Sequence, residues 1–260
     1  MEVSSNLQVV LQPASAGYFF APVYNRKPMW KSILPLLLCL AVNGAWAARP
    51  FVTDDARLTT PGSCQLESWV RAYRSSQEVW ALPACNLTGN LELTVGAGAA
   101  KFDNAAGWTG DYVFQAKTLF KTLESNGWGI GAAVGTVQHP EVNPGPNLLG
   151  NRYAYIPLSL SFADDLLVVH VNTGWLHDKA TSKDLMTWGL GTELNLDKHW
   201  TLIAESFGNS ADSTYWQAGT RYSLIPGLLQ FDATAGQQAG GTMNQRWLSF
   251  GVRFTPAKMF

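Results

Sequence analysis

From residue 63 onward the chain repeats one pattern: runs of about ten residues in which apolar side chains take every other position. Successive side chains of a strand point to opposite faces, so each run reads as a strand with one apolar and one polar face. "CQLESWVRAY" is followed by "EVWALPACNL", "LELTVGAGAAK", "DYVFQAKTLFK", "WGIGAAVGTVQ" and "RYAYIPLSLSF". "LLVVHVNTGWL", "LMTWGLGTELNL", "WTLIAESFG", "TYWQAGTRYSL", "LLQFDATAG" and "NQRWLSFGVRFT" complete a set of twelve. No helical period persists in this region, and each run is near the length that crosses a bilayer when tilted.

The joins between the runs alternate in kind. "TGN", "ESN", "ADD", "DKH" and "IPG" are tight turns of polar, Gly or Pro chemistry. Between them lie "FDNAAGWTG", "HPEVNPGPNLLGN", "HDKATSKD", "GNSADST" and "GQQAGGTMNQ". Short turns at one end and long loops at the other fit an outer-membrane barrel, and a two-sheet sandwich gives no reason for the alternation. The first hairpin departs from it, with a tight turn at Arg74-Ser75 where a long loop is expected.

The few charges decide which face points where. They make up 14% of the chain, with a formal net charge of -1, so no strong field draws nucleic acid. Within the runs they share the less apolar face. Glu67 and Arg71 oppose Leu66 and Val70, Glu92 opposes Leu93 and Val95, and Lys117 opposes Phe114 and Phe120. Glu193 opposes Trp188 and Leu190, Glu205 opposes Leu202, Arg221 opposes Trp216, Asp232 opposes Phe231, and Arg253 opposes Phe250 and Val252. Lys101 breaks the rule at an outer strand end. In a lipocalin or sandwich the apolar faces would fill the interior; in a membrane barrel they meet lipid and the polar faces line a lumen. Gly96, Gly98, Gly129, Gly131, Gly135, Gly189, Gly191 and Gly219 lie on the polar faces. Against solvent they would only weaken the strands; in a lumen they make room for long charged chains. Trp128, Trp175, Trp200 and Tyr222 sit near run ends, as interfacial belts require. The expectation is an all-β, transmembrane, antiparallel up-and-down β-barrel of about twelve strands. Val169, Val171 and Trp175 then face lipid. His170 and Asn172 line the lumen with Glu67, Arg71, Glu92, Lys117, Glu193, Glu205, Arg221, Asp232 and Arg253. Charges crowded there need opposite partners. Glu205, Arg221, Asp232 and Arg253 of the last runs are expected to meet Glu67 and Arg71 of the first across the closing seam.

Ahead of the barrel, residues 29–47 read as a signal peptide. Lys31 supplies the positive start, 33–42 the apolar stretch, and Ala45-Trp46-Ala47 a cleavage site between Ala47 and Ala48. Residues 1–28 form an N-terminal extension without a clear role, consistent with a true start at Met29. Residues 48–62 are then a periplasmic segment and 63–260 the barrel. Export leaves two cysteines, Cys64 and Cys85. Pairing of the first two runs around Arg74-Ser75 sets them opposite one another, close enough for a disulfide. Phe254 closes the last run, with 256–260 a short tail.

The start of the exported chain, "ARPFVTDDARLTTPGSCQLESW", resembles the opening of the bacterial outer-membrane family named for the MetA pathway of phenol degradation. Arg49-Pro50, Thr53-Asp54-Asp55-Ala56, Pro61-Gly62 and Gln65-Leu66-Glu67 carry the likeness, and "IPLSLSFADDLLVVHVNTGWLHD" resembles that family's mid-barrel hairpin. Cys64 is a departure from the pattern. The resemblance implies an outer-membrane barrel over 48–260, of a kind described as a transporter.

No nucleophile signature, metal-ligand spacing or phosphate-loop context stands out, so neither catalytic residues, metal nor cofactor are expected. His139 and His177, with Glu141 and Asp178 near them, read as solvated loop residues, and His170 as lumen packing. The leading reading is passive uptake of small aromatic or hydrophobic compounds. Its rival is a structural or surface-interaction barrel with a closed lumen, ahead of a lipid-modifying barrel enzyme. The expected partners are outer-membrane lipid, the barrel assembly machinery and the solute. N-terminal sequencing of the protein from outer-membrane fractions should read Ala48 first; a soluble product retaining Met1 or Met29 would end the barrel reading.

Overall fold

The computed structural model describes residues 51–103, 106–140 and 149–260. The expected signal peptide with its cleavage site between Ala47 and Ala48, the expected N-terminal extension and Glu141 lie outside them.

Twelve strands form one closed antiparallel barrel: β1 (Ser63–Tyr73), β2 (Ser76–Asn86), β3 (Glu92–Phe102), β4 (Trp108–Lys121), β5 (Trp128–Gln138) and β6 (Asn151–Phe162), then β7 (Leu167–Asp178), β8 (Lys183–Asn195), β9 (Trp200–Asn209), β10 (Tyr215–Ile225), β11 (Leu229–Gln238) and β12 (Arg246–Phe254). Each strand pairs with its neighbours in sequence, and β1 pairs with β12 to close the wall. Closure leaves no edge strand, so the wall has no open row of backbone groups where lipid could supply no partner. One 3-10 turn, Met243–Gln245, lies in the last long loop.

Burial alternates along the strands as the charge parity requires. Leu66, Val70, Val95, Phe114, Ile156, Leu190, Phe231, Leu248 and Phe250 are exposed on the outer surface. An apolar band of this kind is costly against water and favourable against acyl chains. Trp128, Trp175 and Trp200 are also exposed, near strand ends, and Tyr222 packs on Trp200 with ring centroids 4.7 Å apart. These rings suit the membrane interfaces.

The interior has two characters. On one side Trp69, Trp80, Leu82, Val113, Val137, Tyr153, Tyr155 and Leu176 form a packed apolar cluster. Two of the inward glycines serve it: a Cβ on Gly98 would lie 2.4 Å from the Trp80 ring, and one on Gly135 would lie 2.4 Å from Tyr153. Room for aromatic rings is what these two positions supply.

The first hairpin turns at Arg74-Ser75 and brings Cys64 directly opposite Cys85. The two form a disulfide with a Cα–Cα distance of 4.0 Å, on the outward parity at the short-turn end. The C-terminal tail leaves β12 at Phe254 and folds under the barrel, where the N–H groups of Met259 and Phe260 donate to the Gly62 carbonyl at 2.7 and 3.1 Å. Replacing Cys64 and Cys85 by Ser should lower the unfolding free energy in detergent by up to about 3 kcal/mol, the chain-entropy value for a loop of this length. Unfolding titrations with urea, and alkylation before and after reduction, provide the check.

Candidate functional site

All eleven residues expected in the lumen point inward, and register explains how they meet. Glu67 of β1 sits opposite Arg253 of β12, across the closing seam. Arg71 sits opposite Glu78 of β2 and binds it at 3.3 Å, and its guanidinium lies 5.5 Å from the Trp247 ring of β12. Glu92 faces Lys117, and Arg221 faces Asp232. Arg221 Nη1 donates to Glu193 Oε1 at 2.8 Å, with both side chains almost fully buried. The expected seam network is therefore only partly formed. Glu67 and Arg253 straddle the seam, but Arg71 pairs within the first hairpin, Arg221 turns to β8, and Glu205 binds the N-terminal segment.

Residues 51–59 run inside the barrel, a correction to the periplasmic placement expected for 48–62. Thr53, Asp55, Ala56 and Thr59 are buried. Wall side chains hold the main chain of this segment. The two oxygens of Glu205 accept from the amides of Val52 and Thr53 at 2.7 and 2.8 Å. With its amide turned so that both of its groups are satisfied, Asn172 brackets Asp54, its nitrogen donating to the Asp54 carbonyl at 2.9 Å and its oxygen accepting from the Asp54 N–H at 2.6 Å. Ser159 Oγ accepts from the Ala56 N–H at 2.8 Å, and Glu92 Oε2 from the Thr59 N–H at 2.7 Å. Asn86 donates to the Thr59 carbonyl at 2.7 Å.

Side chains of the segment complete the docking. Lys117 Nζ lies 2.8 Å from the Asp54 carboxylate and 3.4 Å from that of Asp55. The Tyr155 hydroxyl donates to Asp54 at 2.6 Å. Arg57 reaches Glu193 at 3.2 Å and Asp55 at 3.4 Å. Phe51 meets the His170 ring edge-on at 5.8 Å, and Val52 packs on the Phe207–Tyr215–Trp247 cluster. The wall is shaped for this: a Cβ on Gly189 would lie 2.4 Å from Thr53 Oγ1. A void of only about 20 Å³ remains beside Val52 and Thr53, room for roughly one water. At the short-turn end a cavity of about 710 Å³ opens between Arg57, Pro61, Glu124, Asp164, Asp197 and Lys198.

Three histidines differ from expectation or acquire a clear role. His139, expected in solvent, is buried with Nδ1 2.9 Å from Asp111 and Nε2 3.3 Å from Asn151 Nδ2. His177 lies in β7, partly exposed, with Nδ1 2.9 Å from Asp184. His170 is fully buried; its Nδ1 is 2.8 Å from Ser159 Oγ and its Nε2 3.7 Å from Glu193. Since Ser159 also holds the Ala56 amide, this Ser–His–Glu row works as part of the clamp on the segment. Glu78, Asp111, Gln115, Tyr155, Ser159 and Gln217 belong to the site and were missed. Gln115, Tyr155, Ser159 and Gln217 are neutral and carry no parity contrast to mark them, while Glu78 and Asp111 stand at the starts of their runs, where a charge reads as lying near water.

An apolar outer wall, a polar and ionic interior and a closed twelve-strand ladder define an outer-membrane-type β-barrel. The chain is similar to the KdgM porin (TM-score 0.56, 11% identity), over 74% of this chain and 99% of that one. It is similar to the NanC porin (TM-score 0.54, 10% identity), over 74% and 100%. It also resembles the COG4313 outer membrane channel from Pseudomonas putida F1 (TM-score 0.52, 13% identity), over 77% and 97%. At these identities the likeness is one of fold. Within that class, the chain belongs to the family described as "Uncharacterised conserved protein UCP029691", whose model matches residues 36–255. No curated protein matches the sequence. The likeness to the MetA-pathway family rests on the quoted motifs alone.

Arg221→Ala should leave Glu193 with Arg57 as its remaining guanidinium partner. Loss of one member of a buried pair predicts a destabilisation of about 3 kcal/mol. Val252→Ala on the lipid side, read by the same unfolding titration, should cost about 1 kcal/mol, the range for removing a pair of half-buried methyls.

Proposed function

We propose that the protein is a passive outer-membrane channel for small solutes whose lumen is held shut by residues 51–59. One observation carries this reading. The centre of the barrel is filled by a length of chain that meets the wall through hydrogen bonds and ion pairs. Its withdrawal would leave a passage lined by the groups it now occupies. The porin and channel folds of the similar structures support the same class. On this reading the partners are lipid, the assembly machinery that inserts the strands, and the solute.

The wall charges indicate ion preference. Inward-facing Glu67, Glu78, Glu92, Asp111, Asp178, Glu193, Glu205 and Asp232 outnumber Arg71, Lys117, Arg221 and Arg253. An acidic lumen favours cations and disfavours polyanions. A KdgM porin has been solved with disordered oligogalacturonate; a polyanion of that kind is a poor fit to this interior. The apolar cluster around Trp69, Trp80 and Tyr153 supports solutes with an aromatic or hydrophobic part.

Asp54→Asn combined with Asp55→Asn removes the carboxylates that Lys117 holds. In planar bilayers the double variant should open several-fold more often than the parent, and its reversal potential in a KCl gradient should show preference for potassium. A double variant as silent as the parent would favour the closed, structural barrel instead.

A further inference from the structure

The way the lumen holds its own segment points to a solute class. A segment needed only to fill space could be met by apolar packing, as Trp69, Trp80 and Leu82 pack within the neighbouring cluster. Instead the wall reads main chain. Glu205 takes two consecutive amides, Asn172 takes both main-chain groups of one residue, and Ser159 and Glu92 each take a further amide. These groups come from β9, β7, β6 and β3, so main-chain acceptors ring the lumen. Contacts to amides are indifferent to the side chain that follows. The side-chain contacts add two coarse preferences: a carboxylate beside Lys117 and Tyr155, and a cationic group beside Glu193.

We propose that the channel's solutes are short peptides, and that residues 51–59 occupy their site. The proposal rests on the channel reading for passage, and the peptide site itself can be tested separately. An unpaired peptide carries N–H groups that a sugar or a hydrocarbon lacks, and a carboxylate that accepts two of them at once gives short, charge-assisted bonds. The acid excess of the wall also suits the ammonium end of a free peptide. In the intact protein the tethered segment competes at an effective concentration near the millimolar range, so a free peptide binds only when the tether is loosened.

The experiment uses the full-length Asp54→Asn, Asp55→Asn variant and a synthetic peptide with the sequence of residues 51–59. Peptide affinity is measured in detergent by the thermal shift it causes, and block of current is measured in bilayers. The expected result is saturable stabilisation and block by the peptide. The same peptide N-methylated at the amides corresponding to Val52 and Thr53 should bind about tenfold more weakly, since it cannot donate to Glu205. Glu205→Gln placed in the same variant should shrink the difference between the two peptides. An open channel that binds neither peptide, or both equally, would overturn the peptide proposal and leave the channel standing. Methylation-sensitive binding to a variant that never conducts would overturn the channel reading, and peptide passage with it.

Discussion

Lipid offers no hydrogen bonds, and this constraint governs the whole molecule. It forces the twelve strands to close through β1 and β12, since an open edge would leave a row of amides unmet. It also leaves outward charges such as Lys101, Arg152 and Arg246 at strand ends and turns the mid-wall charges to the inner surface. Once there, the charges are too close to ignore one another. Direct cross-strand partners such as Glu67 and Arg253, or Arg71 and Glu78, follow from register. What register leaves over is met by the segment. Asp54 and Asp55 approach Lys117, and Arg57 joins Arg221 at Glu193.

The barrel was legible because a strand's period is short and lipid enforces it strictly. Phe250 and Val252 against Arg253 is a contrast that no soluble face would keep so cleanly. The Cys64–Cys85 bridge was legible for the same reason: a tight turn at Arg74-Ser75 fixes register, and register fixes opposition. The N-terminal segment was not legible. Its bonds run from its amides to Glu205, Asn172, Ser159 and Glu92, and amides are present in every sequence. The clues that existed were indirect. Gly189 is an inward glycine, and the structure shows Thr53 seated over it. The wall acids had no full complement of cations among the strands, and Arg57, which reaches Glu193, lay just upstream. The seam network expected from the strands alone formed only in part for this reason, because Glu205 turns both oxygens to the amides of Val52 and Thr53 and shares one with Gln217 of β10.

The two chain ends share one anchor. Gly62, where the segment meets β1, accepts hydrogen bonds from Met259 and Phe260, and Ser63 Oγ donates to the Pro256 and Ala257 carbonyls at 2.6 and 3.0 Å. Gly62 has φ +73, and a Cβ there would lie 2.7 Å from the Phe260 carbonyl oxygen. Glycine thus permits both the left-handed turn and the close pass of the tail. The disulfide lies one strand residue further on, so the foot of the segment is fastened while its upper part is held only by non-covalent bonds.

Those bonds span long stretches of sequence. Val52 and Glu205 are 153 residues apart, and Ala56 and Ser159 are 103 apart, whereas Cys64 and Cys85 are separated by 21. Contacts of such separation form late, because loop closure must come first. The clamp does not exist until β9 has joined the wall. The clamp is complete only when β3, β6, β7 and β9 all stand in the wall, so the segment reports on the closure of the whole barrel.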